Sequence, residues 1–408
     1  MRCGLLGQKL GHSYSPQIHR SLGGYTYSLF EREPDDLAAF LRNGDFDGIN
    51  VTIPYKKAVI PYCDRLSETA EKLGAVNTIV RRDDGRLVGH NTDYFGFSYM
   101  VQLSGLAIAG KKALVLGSGG ASVTAVAVLK ELGAQAVVIS RTGKDNYENL
   151  QKHADAAIIV NATPVGMYPQ TGHSPIDLGL FPNLEGVLDL IYNPARTALL
   201  MDAEERGLVA MNGLWMLVAQ AKESAEWFTG EAISNDQIQQ IYDTLQMQMR
   251  NIVLIGMPGC GKTTVGKLLA DRLGRTFVDA DTCIVEKAGM PIPEIFAKFG
   301  ESGFRKIESE VLAQLGMQSG LIIATGGGCV TVSDNYRSLH QNGRIVWLRR
   351  SIDCLPTEGR PLSQTQNLLQ MYEVRKPLYA RFSDYTADNN GTAAQTAEAV
   401  AALLKEVP

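Results

Sequence analysis

The chain has 408 residues, more than one ordinary core accommodates, so its length predicts two or three domains. Hydrophobic residues make up 45% and charged residues 20%, the balance of a globular protein rather than a disordered one. The net charge of −4 and a pI near 5.9 exclude a general binder of nucleic acid or acidic membranes, so any anionic ligand must be held by local clusters.

The start, "MRCGLLGQKLGHSYSPQIHR", lacks the basic segment, apolar core and small-residue cleavage site of an export signal. No apolar run approaches the roughly 20 residues needed to span a bilayer. The six cysteines (Cys3, Cys63, Cys260, Cys283, Cys329, Cys354) stand singly, without a CxxC or a Cys/His cluster. Reduced thiols in a cytoplasmic protein are expected, and a structural zinc site is not.

In chain order, short apolar runs alternate with helical patterns: "CGLLG", "GINVTI", "KALVLG", "AVVIS", "AAIIVNA", "GVLDLIY", "NIVLIG", "LIIATGG" and "RIVWLR". This alternation predicts α/β architecture with βαβ units and buried parallel sheets. A first segment, 1–102, contains a predicted hairpin at "VRRDDGRLVG". Within it, "GQKLGHSYSP", "GINVTIPYK", "LGAVNT" and "GHNTDYFG" place hydroxyls, amides, one lysine and one aspartate at strand ends. Each is an ordinary turn alone, and together they predict a pocket.

A second segment, 103–212, opens with "KKALVLGSGGASVTAVAVLKELGAQAVVISRT", a strand, glycine turn, helix and strand. Gly117, Gly119, Gly120 and Ala121 form a dinucleotide-type turn that would bring a pyrophosphate onto a helix N-terminus, with Ser122 as the third small residue. The second strand ends in Arg141-Thr142, where an NAD enzyme usually carries an acid. An arginine there suits a 2′-phosphate and favours NADP(H), the alternative being a solvated loop arginine.

A helical stretch, 213–247, returns to complete the first segment, and a third segment, 250–408, begins almost at once. "GMPGCGKTT" satisfies the phosphate-loop pattern G-x-x-x-x-G-K-[ST]. The amides around Gly259, Cys260, Gly261 and Thr264 would cradle phosphates. Lys262 would reach the β/γ oxygens of ATP, and Thr263 would ligate Mg²⁺. The loop alone leaves the acceptor open, with gluconate or nucleoside monophosphate as alternatives. The tail "GTAAQTAEAVAALLKEV" predicts a closing amphipathic helix.

The motifs of the first two segments, together with "NATPVGM", "DLIYNP" and "GLWMLVAQA", stand in the order seen in shikimate dehydrogenase, which residues 1–247 resemble. The resemblance implies a two-lobed dehydrogenase with a Rossmann-type NADP domain. It gives Ser13 and Ser15 to the substrate carboxylate, and Thr52, Asn77 and Gln220 to the ring hydroxyls. Tyr192 borders the substrate, and Lys56 with Asp93 forms the catalytic pair. Hydride arriving at a ketone leaves negative charge on oxygen, which an ammonium stabilises and protonates. His12 and His90 read as structural, and Trp215 and Met216 as pocket wall or core.

Residues 250–408 resemble shikimate kinase, a phosphate-loop kinase with a parallel sheet, through "FVDADT", "GESGFRKIESE", "ATGGGCV", "GRPLS" and "VRKPLY". That resemblance gives Asp279 to Mg²⁺ through water and Asp281 to the attacking hydroxyl. Arg305 and Arg375 would grip a carboxylate, Glu308 would position Arg305, and the Gly326, Gly327 and Gly328 backbone would approach the ring. Arg360 would come from a lid. The bland alternative makes Arg305 and Glu308 a helix i,i+3 pair. Taken together, the resemblances imply NADPH, ATP and Mg²⁺ as cofactors. The expected partners are 3-dehydroshikimate and shikimate, with no nucleic acid or membrane, in a monomer or homodimer. A non-catalytic sensor and a quinate-oxidising enzyme are the alternatives for the first half.

Overall fold

The computed structural model describes residues 1–11, 13–355 and 368–404. His12 and Arg360 therefore lie outside the described residues, as do "GRPLS" and the end of the tail. Contact clustering divides the chain into two units. The first comprises Met1–Val165, Ser174–Tyr192 and Leu199–Thr244. The second comprises Gly166–His173, Asn193–Ala198 and Leu245–Pro408.

The first unit holds two sheets. One contains β1 (Arg2–Gly7), β2 (Thr26–Glu31), β3 (Gly48–Val51), β4 (Arg65–Leu66), β5 (Thr78–Arg81) and β6 (Leu87–His90), in the order β2-β1-β3-β5-β6-β4. The parallel sheet expected from the strand–helix alternation is here mixed, since β5 runs antiparallel to both β3 and β6. Its physical cause is the hairpin: Arg82 N–H donates to the Arg86 carbonyl across the Asp83-Asp84-Gly85 turn, which reverses the chain. β2 forms an exposed edge that no apolar run announced.

The second sheet, β7 (Lys112–Leu116), β8 (Gln135–Ile139), β9 (Ile158–Asn161), β10 (Gly186–Asp189) and β11 (Val209–Met211), is wholly parallel in the order β11-β10-β9-β7-β8. Its interior strand β7 explains the unbroken apolar run "KALVL". Ala113 and Val115 pack into one core cluster, while Leu114 and Leu116 pack into another. Both faces of the sheet are covered, so alternation is lost from the sequence. Helix Asp93–Ser104 packs on helix Leu214–Thr229 at Gly96, where an added Cβ would lie 2.7 Å from the Met216 carbonyl oxygen. Only glycine permits that approach.

The second unit contains β12 (Asn251–Ile255), β13 (Phe277–Asp279), β14 (Ile322–Ala324), β15 (Gly343–Arg349) and β16 (Tyr385–Asp388). All pairings are parallel, in the order β13-β14-β12-β15-β16. A single residue, Arg250, separates helix Asp236–Met249 from β12. The segment Asn193–Ala198 clusters with this unit. Ala195 N–H donates to Asn342 Oδ1 at 2.8 Å and Arg196 N–H to the Gln341 carbonyl at 2.8 Å. The expected tail helix spans Ala393–Leu403, with a capping box between Thr392 and Gln395. Among the described residues, no helix is long and apolar enough to cross a membrane.

Candidate active sites

In the first unit the predicted polar residues come from five places in the fold. Ser13 and Ser15 open helix Ser15–Leu22, and the Ser13 hydroxyl accepts the Ser15 N–H at 3.2 Å. Thr52 and Lys56 follow β3, Asn77 precedes β5, and Asp93 begins helix Asp93–Ser104. Gln220 lies on helix Leu214–Thr229. Lys56 Nζ donates to Asp93 Oδ2 at 2.6 Å, with the side chains 30% and 14% exposed. Asn77 Oδ1 accepts the Thr92 N–H at 2.7 Å, which fixes Asn77 beside the Asp93 backbone. The Thr92 hydroxyl lies 3.4 Å from Gln220 Oε1. Tyr192 meets Tyr14 edge to face at 6.1 Å between centroids, and burial raises both phenols.

The glycine turn lies beyond β7, where the chain passes to β8 on one side and to β9 on the other. Such a switch point in a parallel sheet is where ligands bind. Gly117 has φ +103°, and its N–H donates to the Ile139 carbonyl at 2.8 Å. Gly119 caps helix Gly120–Glu131, and no atom lies within 4 Å of a Cβ built on Gly119 or Gly120. Open space over a helix N-terminus fits a pyrophosphate. Ser122 is buried, in keeping with close helix packing. Ala121, Arg141 and Thr142 are exposed, the last two just beyond β8.

His90 is hydrogen-bonded to Ser67 at 2.6 Å and stacked on Trp227. Trp215 and Met216 pack against the core, and Trp215 stacks on Tyr242.

The second unit brings nearly all its predicted residues to one cavity of about 480 Å³. Gly259, Gly261, Lys262, Thr263, Thr264, Asp279, Asp281, Arg305, Glu308, Gly326, Gly327, Gly328 and Arg375 line it. Cys260 does not, because it is fully buried beneath the loop. Lys262 Nζ donates to the carbonyls of Gly256 and Met257 at 3.0 and 3.1 Å. Thr263 Oγ1 donates to Asp279 Oδ2 at 2.8 Å, a pairing of hydroxyl and carboxylate oxygens that fits a hard cation such as Mg²⁺.

Arg305 Nη1 donates to Glu308 Oε2 at 2.5 Å, so the helix i,i+3 pair exists. It is more than a surface pair. Glu308 is fully buried, and burial raises its carboxyl while Arg305 opposes the shift. Arg305 Nε and Glu308 Oε1 have no hydrogen-bond partner among the described residues. Unsatisfied buried polar atoms on a cavity wall fit a site that a polar ligand completes. Arg375 Nη1 reaches the Gly327 carbonyl at 3.3 Å, to which the buried Tyr379 hydroxyl also donates.

Sequence reasoning missed part of this cavity. Ile292, Pro293, Phe296 and Phe304 form an apolar wall, with the two phenylalanine rings stacked at 4.5 Å. Their only signal was helical spacing, which reads equally as core. Tyr379 lay inside the quoted "VRKPLY" without being singled out.

These features define an α/β dehydrogenase followed by a phosphate-loop kinase. The family model described as shikimate dehydrogenase substrate binding domain matches residues 5–79, and that described as shikimate kinase matches residues 258–407. The shikimate dehydrogenase (NADP(+)) of Clostridium beijerinckii is 34% identical over 268 residues, covering 60% of this chain and 98% of that protein. Among solved structures, shikimate dehydrogenase 1 from Peptoclostridium difficile is 38% identical with a TM-score of 0.55, covering 60% of this chain and 98% of that one. A chorismate mutase/shikimate 5-dehydrogenase fusion protein from Clostridium acetobutylicum is 37% identical with a TM-score of 0.57, covering 60% and 96%. The chain belongs to the shikimate dehydrogenase family and carries a shikimate kinase domain after it.

Proposed function

We propose that this bifunctional enzyme reduces 3-dehydroshikimate to shikimate with NADPH and then phosphorylates a shikimate hydroxyl with ATP. The observation that carries the reading is the Lys56–Asp93 pair at 2.6 Å, partly open to solvent and next in the chain to Thr92, which contacts Asn77 and Gln220. A sensor that binds without turnover needs no such pair. Division into a substrate domain (1–102 with 213–247), an NADP domain (103–212) and a kinase domain (250–408) belongs to the same proposal.

In the reduction, Ser13 and Ser15 bind the ring carboxylate, Thr52, Asn77 and Gln220 bind ring hydroxyls, and Tyr192 closes one side. Lys56, oriented by Asp93, stabilises the developing alkoxide and gives it a proton. NADPH supplies the hydride when held by the turn Gly117–Ala121, with Arg141 and Thr142 on its 2′-phosphate. Arg141 and the absence of an acid at the end of β8 support NADP over NAD.

In the phosphorylation, Arg305 and Arg375 hold the shikimate carboxylate while the Gly326–Gly328 backbone borders the ring. Asp281 orients the attacking hydroxyl and accepts its proton. The loop amides from Gly259 to Thr264 and Lys262 hold the ATP phosphates, while Thr263 and Asp279 hold Mg²⁺, which would neutralise phosphate charge when bound. Arg360 keeps its assignment as a phosphate contact on resemblance alone. Both units thus meet one small acid, in a chain acting as a monomer or homodimer. The six cysteines are free thiols, which supports a reducing cytoplasmic setting.

The test supplies pure protein with 3-dehydroshikimate and NADPH, then adds Mg-ATP, following NADPH oxidation and ADP release separately. Both signals are expected, the second only after the first. No NADPH oxidation would leave the first unit a sensor, and oxidation of quinate in place of shikimate would move it to the other substrate. ADP release independent of shikimate would defeat the kinase assignment.

A further inference from the structure

We propose that Ser224 is a positioning residue that fixes Asn77 and Gln220 for ring-hydroxyl binding; this rests on the reading of those two residues given above. Ser224 is fully buried on helix Leu214–Thr229, one turn beyond Gln220, and belongs to none of the quoted motifs. Four polar groups surround its hydroxyl: Asn50 Nδ2 at 2.7 Å, Thr92 Oγ1 at 2.9 Å, Thr78 Oγ1 at 3.1 Å and the Gln220 carbonyl at 2.9 Å. A serine hydroxyl offers one hydrogen and two lone pairs.

The proton directions follow from the one donor that cannot be reversed. Thr92 N–H donates to the Asn77 side chain at 2.7 Å, so that atom is Oδ1 and the amide orientation is set. Asn77 Nδ2 then donates to Thr92 Oγ1 at 3.0 Å. The Thr92 hydroxyl hydrogen must therefore go elsewhere, and its shortest acceptor is Ser224 Oγ. Ser224 accepts a second hydrogen from Asn50 Nδ2 and gives its own to the Gln220 carbonyl, which uses its full capacity.

Asn50 extends the network to β2, where its Oδ1 accepts the Tyr27 hydroxyl at 2.8 Å. Ser224 is the group where Asn50, Thr92 and the Gln220 carbonyl meet. Without its oxygen, the Thr92 hydroxyl has Asn77 Oδ1 at 3.2 Å, Thr78 Oγ1 at 3.3 Å and Gln220 Oε1 at 3.4 Å as remaining acceptors. At the first and last of these it would compete with substrate, while the Lys56–Asp93 pair stays intact.

The expected consequence is a binding defect without a chemical one. In the full chain, Ser224→Ala should raise KM for 3-dehydroshikimate about tenfold, which is about 1.4 kcal/mol. Its kcat, KM for NADPH and kinase turnover should stay within about threefold. Ser224→Cys, which keeps a weak donor and acceptor, should recover part of the loss and serves if the alanine variant does not fold. A merely structural serine would lower the melting temperature and leave KM unmoved. KM within twofold of the parent in both variants, with Asn77→Ala still raising it, would overturn the role of Ser224 alone. An unmoved KM in Asn77→Ala would overturn the underlying reading instead.

Discussion

Two ion pairs of almost equal length sit in the two sites, and they differ in what surrounds them. Lys56–Asp93 measures 2.6 Å with side chains 30% and 14% exposed, whereas Arg305–Glu308 measures 2.5 Å with side chains 11% and 0% exposed. In the first, water and substrate can replace either partner during turnover, as proton transfer demands. In the second, burial holds the carboxylate and leaves the guanidinium a fixed fork facing the cavity. Distance alone would have ranked the pairs alike; burial separates them, and on the proposed reading the more open pair works on protons while the buried one positions charge.

The largest expected effect falls on the more open pair. Lys56→Ala should lower NADPH oxidation by about 10³-fold, within the range for loss of a general acid, while kinase turnover stays near the parent value. Stopped NADPH oxidation with normal ADP release would uphold the contrast, and undiminished oxidation would remove Lys56 from the chemistry. Next comes the buried pair. Arg305→Ala should raise the kinase KM for shikimate about 30- to 100-fold, the loss of a charge-assisted grip worth about 2–3 kcal/mol. The KM for ATP should move less than about threefold, and equal losses for both substrates would contradict a carboxylate role. Because the variant strands Glu308 without its partner, Arg305→Lys should be measured beside it.

A smaller effect is expected outside both pairs. Arg141 is exposed, so solvent screens its charge and limits what it contributes. Arg141→Ala should narrow the preference for NADPH over NADH about tenfold, read from the ratio of kcat/KM values. An unchanged ratio would make it the solvated loop residue of the bland alternative.

The sequence was most legible where a local pattern carries its own geometry. All nine apolar runs are strands, the hairpin turn is present, and the phosphate loop lies between β12 and helix Lys262–Leu273. In the first sheet the hairpin announced β6 antiparallel to β5, but the direction of β3 against β5 was not legible. Direction depends on how β3, β5 and β6 pair across 40 residues of chain, and a buried apolar run looks the same either way. Ser224 and Asn50 were missed for a related reason. A single polar residue within an apolar helix or strand signals nothing until its partners come from elements 174 residues apart. The Gln220–Ser224 spacing of one helical turn was the only trace.

The last expected effect falls on stability rather than turnover, and concerns pH and the aromatic cluster of the first unit. His19 is buried, stacks on Tyr27 at 4.0 Å, and shares a hydrogen bond with the Tyr25 hydroxyl at 2.7 Å. Burial lowers its pKa to about 3. The neighbouring phenols of Tyr25 and Tyr27 are raised by burial and stay neutral across the acid range. An unfolded histidine titrates near about 6.5. Between those two values the unfolded chain binds one more proton than the folded one, so stability rises with pH and is lost as pH falls. From pH 6.5 to 4.5 the loss attributable to His19 should be about 2 kcal/mol. Hydrogen exchange of amides in β1 and β3 reads the first unit without interference from the second. His19→Phe, which keeps the stack and removes the titrating nitrogen, should flatten the pH dependence of that opening free energy by about one proton. Parallel slopes in parent and variant would mean that other groups carry the acid sensitivity of this unit.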